Sequence, residues 1–89
     1  MAAQAWPVDV ISVCSTDGQI RPLRLRFEDE FRQQLRVNVD EILSVREIHH
    51  VGAEAQVYTC RARLWDRPWV FELKYSIRSH SWTIRTAGN

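Results

Sequence analysis

Apolar and polar residues alternate through most of the carboxyl-terminal half of the chain. In "QVYTCRARLW" (56–65), Tyr58, Cys60, Ala62 and Leu64 form one set and Thr59, Arg61 and Arg63 the other. The same period returns in "VFELKY" (70–75) and "WTIR" (82–85). Successive side chains of a strand point to opposite faces, so this period predicts three half-buried β-strands. A tight loop over Asp66-Arg67 sets Leu64 against Trp69, Ala62 against Phe71, Cys60 against Leu73 and Tyr58 against Tyr75. Arg61 then faces Glu72 on the opposite side. Pro68 falls too near the turn to sit in a central strand. A last turn near 78–80 brings Trp82 opposite Tyr75 and Ile84 opposite Leu73. Phe71, Leu73, Tyr75, Trp82 and Ile84 thus share a core face, and Glu72, Lys74, Thr83 and Arg85 share a solvent face.

The amino-terminal half carries a hairpin signal. Asp17-Gly18 stands between two apolar-rich segments, and a two-residue turn there needs positive φ at both central positions. That turn pairs Val8 with Phe27, Val10 with Leu25 and Ser12 with Leu23 on one face, and Asp9 with Arg26 and Ile11 with Arg24 on the other. Apolar meets apolar and acid meets base, which supports the register. Residues 28–37 are ambiguous. Phe27, Phe31 and Leu35 recur every four residues with acids ahead of arginines, a helical pattern that suits the helix dipole. Phe31, Gln33, Leu35, Val37 and Val39 also alternate, and "LRVNV" is strand-like. A strand entered through a short Glu28-Asp29-Glu30 loop is the favoured reading. "DEIL" (40–43) would be a tight turn and "LSVREIHH" (43–50) a further strand.

Six to seven short antiparallel strands in sequence order predict an all-β meander curling into a small barrel, which hides its edges. The alternative is an α+β fold with a helix near 28–37. With 89 residues the chain holds one domain, expected over 8–86, with a flexible amino terminus at 1–7 and a tail at 87–89.

Composition narrows the function. The net charge of +1 creates no strong field for nucleic acid or an anionic membrane. The basic set is eleven arginines and Lys74; arginine suits bidentate anion recognition, although a GC-rich genome also favours it. "MAAQAWPVDV" has neither a basic n-region nor a long apolar run, and no segment approaches a membrane span, so a cytoplasmic chain with reduced Cys14 and Cys60 is expected.

Several motifs resemble a known group. "G-x-I-x-P-L-x-x-x-F" (Gly18 to Phe27), "V-D-E-I-L" (39–43), "Y-T-C-R" (58–61), "F-E-L-K-Y" (71–75) and a following Trp82 are similar to small, functionally uncharacterised β-rich proteins of Gram-positive bacteria, especially Firmicutes. The resemblance spans about residues 8–86. It implies a stand-alone β-rich domain, with similar domains sometimes encoded near lesion-bypass DNA polymerases. It supplies no functional residue.

Candidate chemistry is sparse. His49, His50, His80, Cys14 and Cys60 lack the short paired spacing of zinc ligands, and neighbours along a strand diverge. "SHS" (79–81) has the letters of a nucleophilic site without the geometry, and there is no Gly-rich phosphate loop or GxSxG. The expectation is a non-enzymatic module without metal or cofactor. Its partner would be another protein, met through Trp65 and Arg67 at a hairpin tip, with the chain a monomer or an edge-paired homodimer. The alternative is a small barrel that binds single-stranded nucleic acid through a basic groove and exposed rings. Asp9 would neutralise Arg26 and Glu72 would neutralise Arg61, leaving Arg24, Arg32, Arg36 and Arg63 for the backbone, with Trp65 and Trp6 as stackers.

Overall fold

The computed structural model describes residues 5–29 and 31–86. Among these there are seven strands and no helix: β1 (Trp6–Cys14), β2 (Ile20–Glu28), β3 (Gln34–Asn38), β4 (Glu41–Ile48), β5 (Ala55–Leu64), β6 (Arg67–Ser76) and β7 (Ser81–Thr86). The sheet order is β3-β2-β1-β7-β6-β5-β4, and every ladder is antiparallel. Each strand therefore lies beside its sequence neighbour except at β3 and β4, which end the sheet on opposite sides, and the first strand pairs with the last. The sheet is a meander joined through β1 and β7 and open between β3 and β4, a curled half-barrel that matches the expected all-β architecture.

The opening has a local cause. Only Val39 and Asp40 separate β3 from β4. The Val39 N–H bonds the Leu23 carbonyl at 2.9 Å, and the Asp40 N–H bonds the Arg61 carbonyl at 3.0 Å. Within two residues the chain passes from β2 to β5, so the two ends of the sheet start side by side and the sheet has to curl.

The β1–β2 hairpin follows the sequence-based register only in part. Asp9↔Arg26, Val10↔Leu25 and Ile11↔Arg24 form as expected; then a bulge at Ile11/Ser12 shifts the ladder to Ser12↔Pro22 and Cys14↔Ile20. The turn explains the shift. The Gly18 N–H bonds the Ser15 carbonyl and the Ser15 N–H bonds the Gln19 carbonyl, at 2.9 and 2.8 Å, so Thr16, Asp17 and Gly18 form a three-residue loop. Gly18 takes the positive φ, +87°, that this loop demands. The Asp17 carboxylate accepts from the Gln19 N–H and the Ser15 hydroxyl. The Ser15 bond first, then the Gln19 N–H, lower its pKa. A one-residue slip would turn every side chain over; the bulge absorbs it. Leu23 consequently lies half-exposed rather than opposite Ser12, and Pro22 is fully buried.

The helical reading of 28–37 is overturned. The Asp29 Oδ1 accepts from the Phe31 N–H at 2.9 Å and the Gln33 N–H at 2.8 Å, closing a tight side-chain-stabilised turn. Arg32 adopts φ +62° and Phe31 is exposed. Residues 34–38 then pair with β2, including Leu25↔Val37 and Phe27↔Leu35. The strand is shorter than the alternation over 31–39 suggested. "DEIL" is likewise no turn, since Glu41 to Leu43 belong to β4 and the turn is Val39-Asp40. β1 takes in Trp6 and Pro7, ahead of the expected boundary at Val8, because Trp6 pairs with Ile84 and Pro7 with Thr83. Residues 1–4 and the expected tail at 87–89 lie outside the described residues.

In the carboxyl half the predicted faces hold. Leu73↔Ile84 and Tyr75↔Trp82 form as expected. The β5–β6 register is displaced by two residues, to Leu64↔Arg67, Ala62↔Trp69, Cys60↔Phe71 and Tyr58↔Leu73. The turn is Trp65-Asp66, both at positive φ, rather than Asp66-Arg67. A two-residue displacement keeps each side chain on its face, so the inward set survives the error. Arg61 now faces Val70, while Glu72 faces Thr59. Pro68 does lie in a central strand, opposite Arg63 beside the turn. It stands three residues ahead of Phe71, where the described β6–β7 ladder begins.

The core fills the inside of the curl. Leu25, Val37, Tyr58, Cys60, Ala62, Phe71, Leu73, Ile84 and Val8 form one buried cluster. Trp69 stacks on Phe71 at 4.5 Å between ring centroids, and Trp82 lies between Tyr75 and Tyr58 at 4.9 and 5.6 Å. Such ring pairs add about 0.5–1.5 kcal/mol each beyond burial. The aromatics of the 67–86 segment are structural.

Candidate functional site

Three surface features remain once the core is assigned. The β5–β6 hairpin tip is one of them. Trp65 and Asp66 occupy the two central turn positions with φ +51° and +62°. The left-handed region is disfavoured for L-residues other than Asn, Asp and Gly, and two-residue hairpin turns prefer Asn-Gly there. Trp65 is nevertheless present, and 73% exposed. The Arg63 guanidinium donates to the Asp66 carbonyl at 3.2 Å, and Arg67 is exposed next to the turn. Trp65 and Arg67 therefore lie together at a hairpin tip, as the sequence suggested, with Arg63 joining them.

The arginine set expected for nucleic acid is divided. Arg24 and Arg36 share the outer face of β2 and β3 with Arg26. These three, with Asp9 and the exposed Ile11, line a shallow depression of about 250 Å³. Asp9 binds Arg26 at 2.9 Å, as expected, and Arg24 donates to the Asn38 side chain at 3.1 Å. Arg32 lies in the β2–β3 loop. Arg63 belongs to β5, which forms ladders with β4 and β6 and approaches β3 without forming one. Arg61 is neutralised by Glu41, not by Glu72. Glu72 instead bridges Arg46 at 3.5 Å and Arg85 at 2.8 Å over the outer face of β6. Trp6 is half-exposed on β1, within the strand that pairs with β7.

The seam is the third feature, and sequence reasoning did not find it. A cleft of about 740 Å³ separates the start of β2 (Ile20 to Leu23) from β4 (Ile42, Val45, Glu47). Asp17, Asp40, Glu41 and Glu47 border it against Arg21 alone, so its rim is acidic. At its floor the Tyr58 hydroxyl donates to the Ile20 carbonyl at 2.5 Å and lies 2.6 Å from the Gln56 Oε1. Burial, then the neighbouring Tyr75 and Cys60, raise the Tyr58 pKa. β4 carries a bulge at Ile42/Ser44 as well as these acids, the usual devices that blunt an edge strand. No pattern in the sequence marks this cleft, because it follows from where the chain switches partners at Val39-Asp40.

The titratable residues considered for chemistry are dispersed. His49 and His50 follow the end of β4 rather than lying on it, and His80 bonds the Tyr75 hydroxyl at 3.0 Å. Cys60 sits in the core, where burial pushes its thiol up to about 12; Cys14 is exposed. Among the described residues no group of three His, Cys, Asp or Glu side chains is placed to hold a metal ion. No described helix is long and apolar enough to cross a membrane. Compared with protein-family models, curated proteins and solved structures, the chain matches none of them.

Proposed function

We propose that the chain is a non-catalytic, cytoplasmic protein-interaction module whose principal contact is the β5–β6 hairpin tip. The carrying observation is Trp65. It occupies a left-handed turn position that favours Asn or Gly, and leaves most of its ring in water. Folding alone gives little reason for this choice, since the left-handed strain opposes stability and the small covered part of the ring does no more than offset it. A partner with an apolar slot for the indole gives one. Arg63 and Arg67 beside the ring suit a slot rimmed by carboxylates, the arrangement of an aromatic and arginine hot spot. The two-residue turn holds the ring on a rigid ladder, so little ordering cost accompanies binding.

Site-specific photo-crosslinking tests this reading. A benzophenone amino acid at position 65 is expected to yield a discrete adduct in cell extract. The same group at Thr16, the tip of the β1–β2 hairpin, is expected to yield none. Unlabelled wild-type protein should compete, and the Trp65→Asn/Asp66→Gly protein should not. Equal adducts at both tips, or equal competition by the variant, would overturn the proposal.

A second reading, single-stranded nucleic-acid binding, is favoured by Arg24, Arg26 and Arg36 sharing one face. The depression they line contains Ile11 but no aromatic ring on which bases could stack. Binding of this kind would weaken steeply as salt rises. Absence of any oligonucleotide binding at about 50 mM salt removes it.

A further inference from the structure

The seam cleft has two walls that no ladder joins among the described residues. At its apex the Val39 N–H holds the Leu23 carbonyl and the Asp40 N–H holds the Arg61 carbonyl. From there β2 runs back from Leu23 to Ile20 on one side, and β4 runs on from Glu41 to Glu47 on the other. No Cα of β2 comes within 8 Å of a Cα of β4, whereas paired strands lie about 4.8 Å apart. The space of about 740 Å³ between them falls in the range of about 300–1,000 Å³ usual for ligand pockets.

Apolar groups form the sides of this space. Leu23 is 49% exposed on one wall and Val45 53% exposed on the other, with half-buried Ile20 and Ile42 beside them. Open apolar surface framed by polar residues marks a contact site. The frame here is one-sided in charge. Asp17, Asp40, Glu41 and Glu47 stand against Arg21 alone, although the whole chain carries +1. Arg61 occupies Glu41, and the His49 Nε2 lies 3.1 Å from Glu47. Among the described residues no cation lies within ion-pair distance of Asp17 or Asp40. Guarding a strand edge accounts for Glu41 and Glu47, which belong to β4. It does not account for Asp17, in the β1–β2 turn, or for Asp40, ahead of β4.

We infer that the cleft receives a short basic segment of another protein, in which an apolar side chain is flanked by arginines or lysines. The apolar side chain enters between Leu23 and Val45, and the flanking cations meet the carboxylates at the rim. A cleft lined by one sign of charge attracts the opposite sign and speeds association, more strongly at low salt. The same rim repels nucleic-acid phosphates and an anionic membrane. A metal ion does not fit, because no three of the described acids are placed to share one. The chain's own exposed ring, Trp65, is followed by Asp66, so a second copy would bring a carboxylate to an acidic rim. This inference stands independently of the hairpin tip.

The test uses the full chain labelled with ¹⁵N and a capped peptide, Gly-Ser-Arg-Leu-Arg-Ser-Gly. A second peptide has Glu in place of both arginines, and a third has Ser in place of Leu. At low salt the first peptide is expected to shift the amides of 20–23 and 41–47 saturably, and the other two to bind about tenfold more weakly or less. Asp40→Asn/Glu47→Gln should weaken the first peptide about fivefold. Glu28→Gln/Glu54→Gln removes the same charge away from the cleft and should leave the affinity unchanged; the amide spectrum of each variant reports whether it is folded. Four results would each overturn the inference: no saturable shift in these two segments; equal weakening by both double variants; equal affinity for the Ser peptide; or spermine displacing the first peptide at lower concentration than the peptide itself needs. A shift at 20–23 that grows with protein concentration alone, and is lost in Trp65→Asn, would equally refute it by placing a second copy in the cleft.

Discussion

Replacing Trp65 and Asp66 with Asn and Gly should not destabilise the protein. Both residues sit in the left-handed region, at φ +51° and +62°. Holding an L-residue there costs about 1–2 kcal/mol, least for Asn and Asp and nothing for Gly. Most of the strain therefore belongs to Trp65, and its relief contributes about 1–2 kcal/mol. Against this stands the lost burial of the indole. The residue is 73% exposed, so only about a quarter of its surface is covered. With about 200–250 Å² for the whole side chain, that quarter is about 60 Å². At about 25 cal/mol/Å² the loss is about 1.5 kcal/mol, an upper bound because a compact unfolded chain also buries part of the ring. The two effects nearly cancel, leaving a change of about 0–1 kcal/mol in favour of the variant, or up to about +6 °C in Tm for a domain of this size. A tryptophan that served the core would instead cost about 3–5 kcal/mol on truncation. Urea unfolding followed by far-ultraviolet circular dichroism decides between these, since Trp65 would also contribute to fluorescence. A loss exceeding about 1 kcal/mol would show that Trp65 is a structural residue, and would remove the argument that it is kept for a partner.

Tyr58→Phe deletes the hydroxyl that ties β5 to the Ile20 carbonyl across the seam, and should cost about 1 kcal/mol with the urea m-value unchanged; a neutral result would show that the bond contributes nothing. Exposed Cys14 should react with a thiol reagent within the mixing time, and core Cys60 only at the rate of opening, so one fast equivalent followed by one slow equivalent is expected by absorbance. The Cys60 thiol, at about 12, keeps its proton in the folded state while the unfolded thiol loses it near 9, and the Tyr58 phenol is shifted in the same direction. The stability these shifts contribute is fully present below pH 9 and is lost as pH rises toward 12; thermal melts across that window should decline more gently in Cys60→Ala, and parallel curves would contradict the assignment. Glu72→Gln removes the carboxylate that bridges Arg46 and Arg85, with an expected loss of about 1 kcal/mol that shrinks in 1 M NaCl; a salt-independent loss would point to packing instead.

The faces of β5, β6 and β7 were legible in the sequence because a period of two assigns each side chain to a side without reference to any partner strand. The β5–β6 pairing shows how robust that is. The turn lies one residue earlier than its sequence suggests and the register is displaced by two residues, yet Phe71, Leu73 and Ile84 still point inward and Glu72, Lys74 and Arg85 outward. Details that need the exact partner were lost. Glu72 and Arg61 do not meet: Glu41 neutralises Arg61 in its place, and Glu72 takes Arg46 and Arg85. At β1–β2 the Asp-Gly pair does mark a turn, but its three-residue form and the compensating bulge put Leu23 outside and Pro22 inside. Residues 28–37 fit two periods, the strand the better of them, and the Asp29 side chain decides the matter by closing a turn where a helix would have begun.

By itself the sequence determined the strand class, the inward set and a tryptophan at a hairpin tip, because each of these depends on spacing between near neighbours. Tertiary structure decided which arginines share a face, which carboxylates silence them, and which edges are left open. Those outcomes depend on strand order and register. Here both turn on two residues, Val39 and Asp40, whose N–H groups bond opposite ends of the sheet and leave β3 and β4 apart.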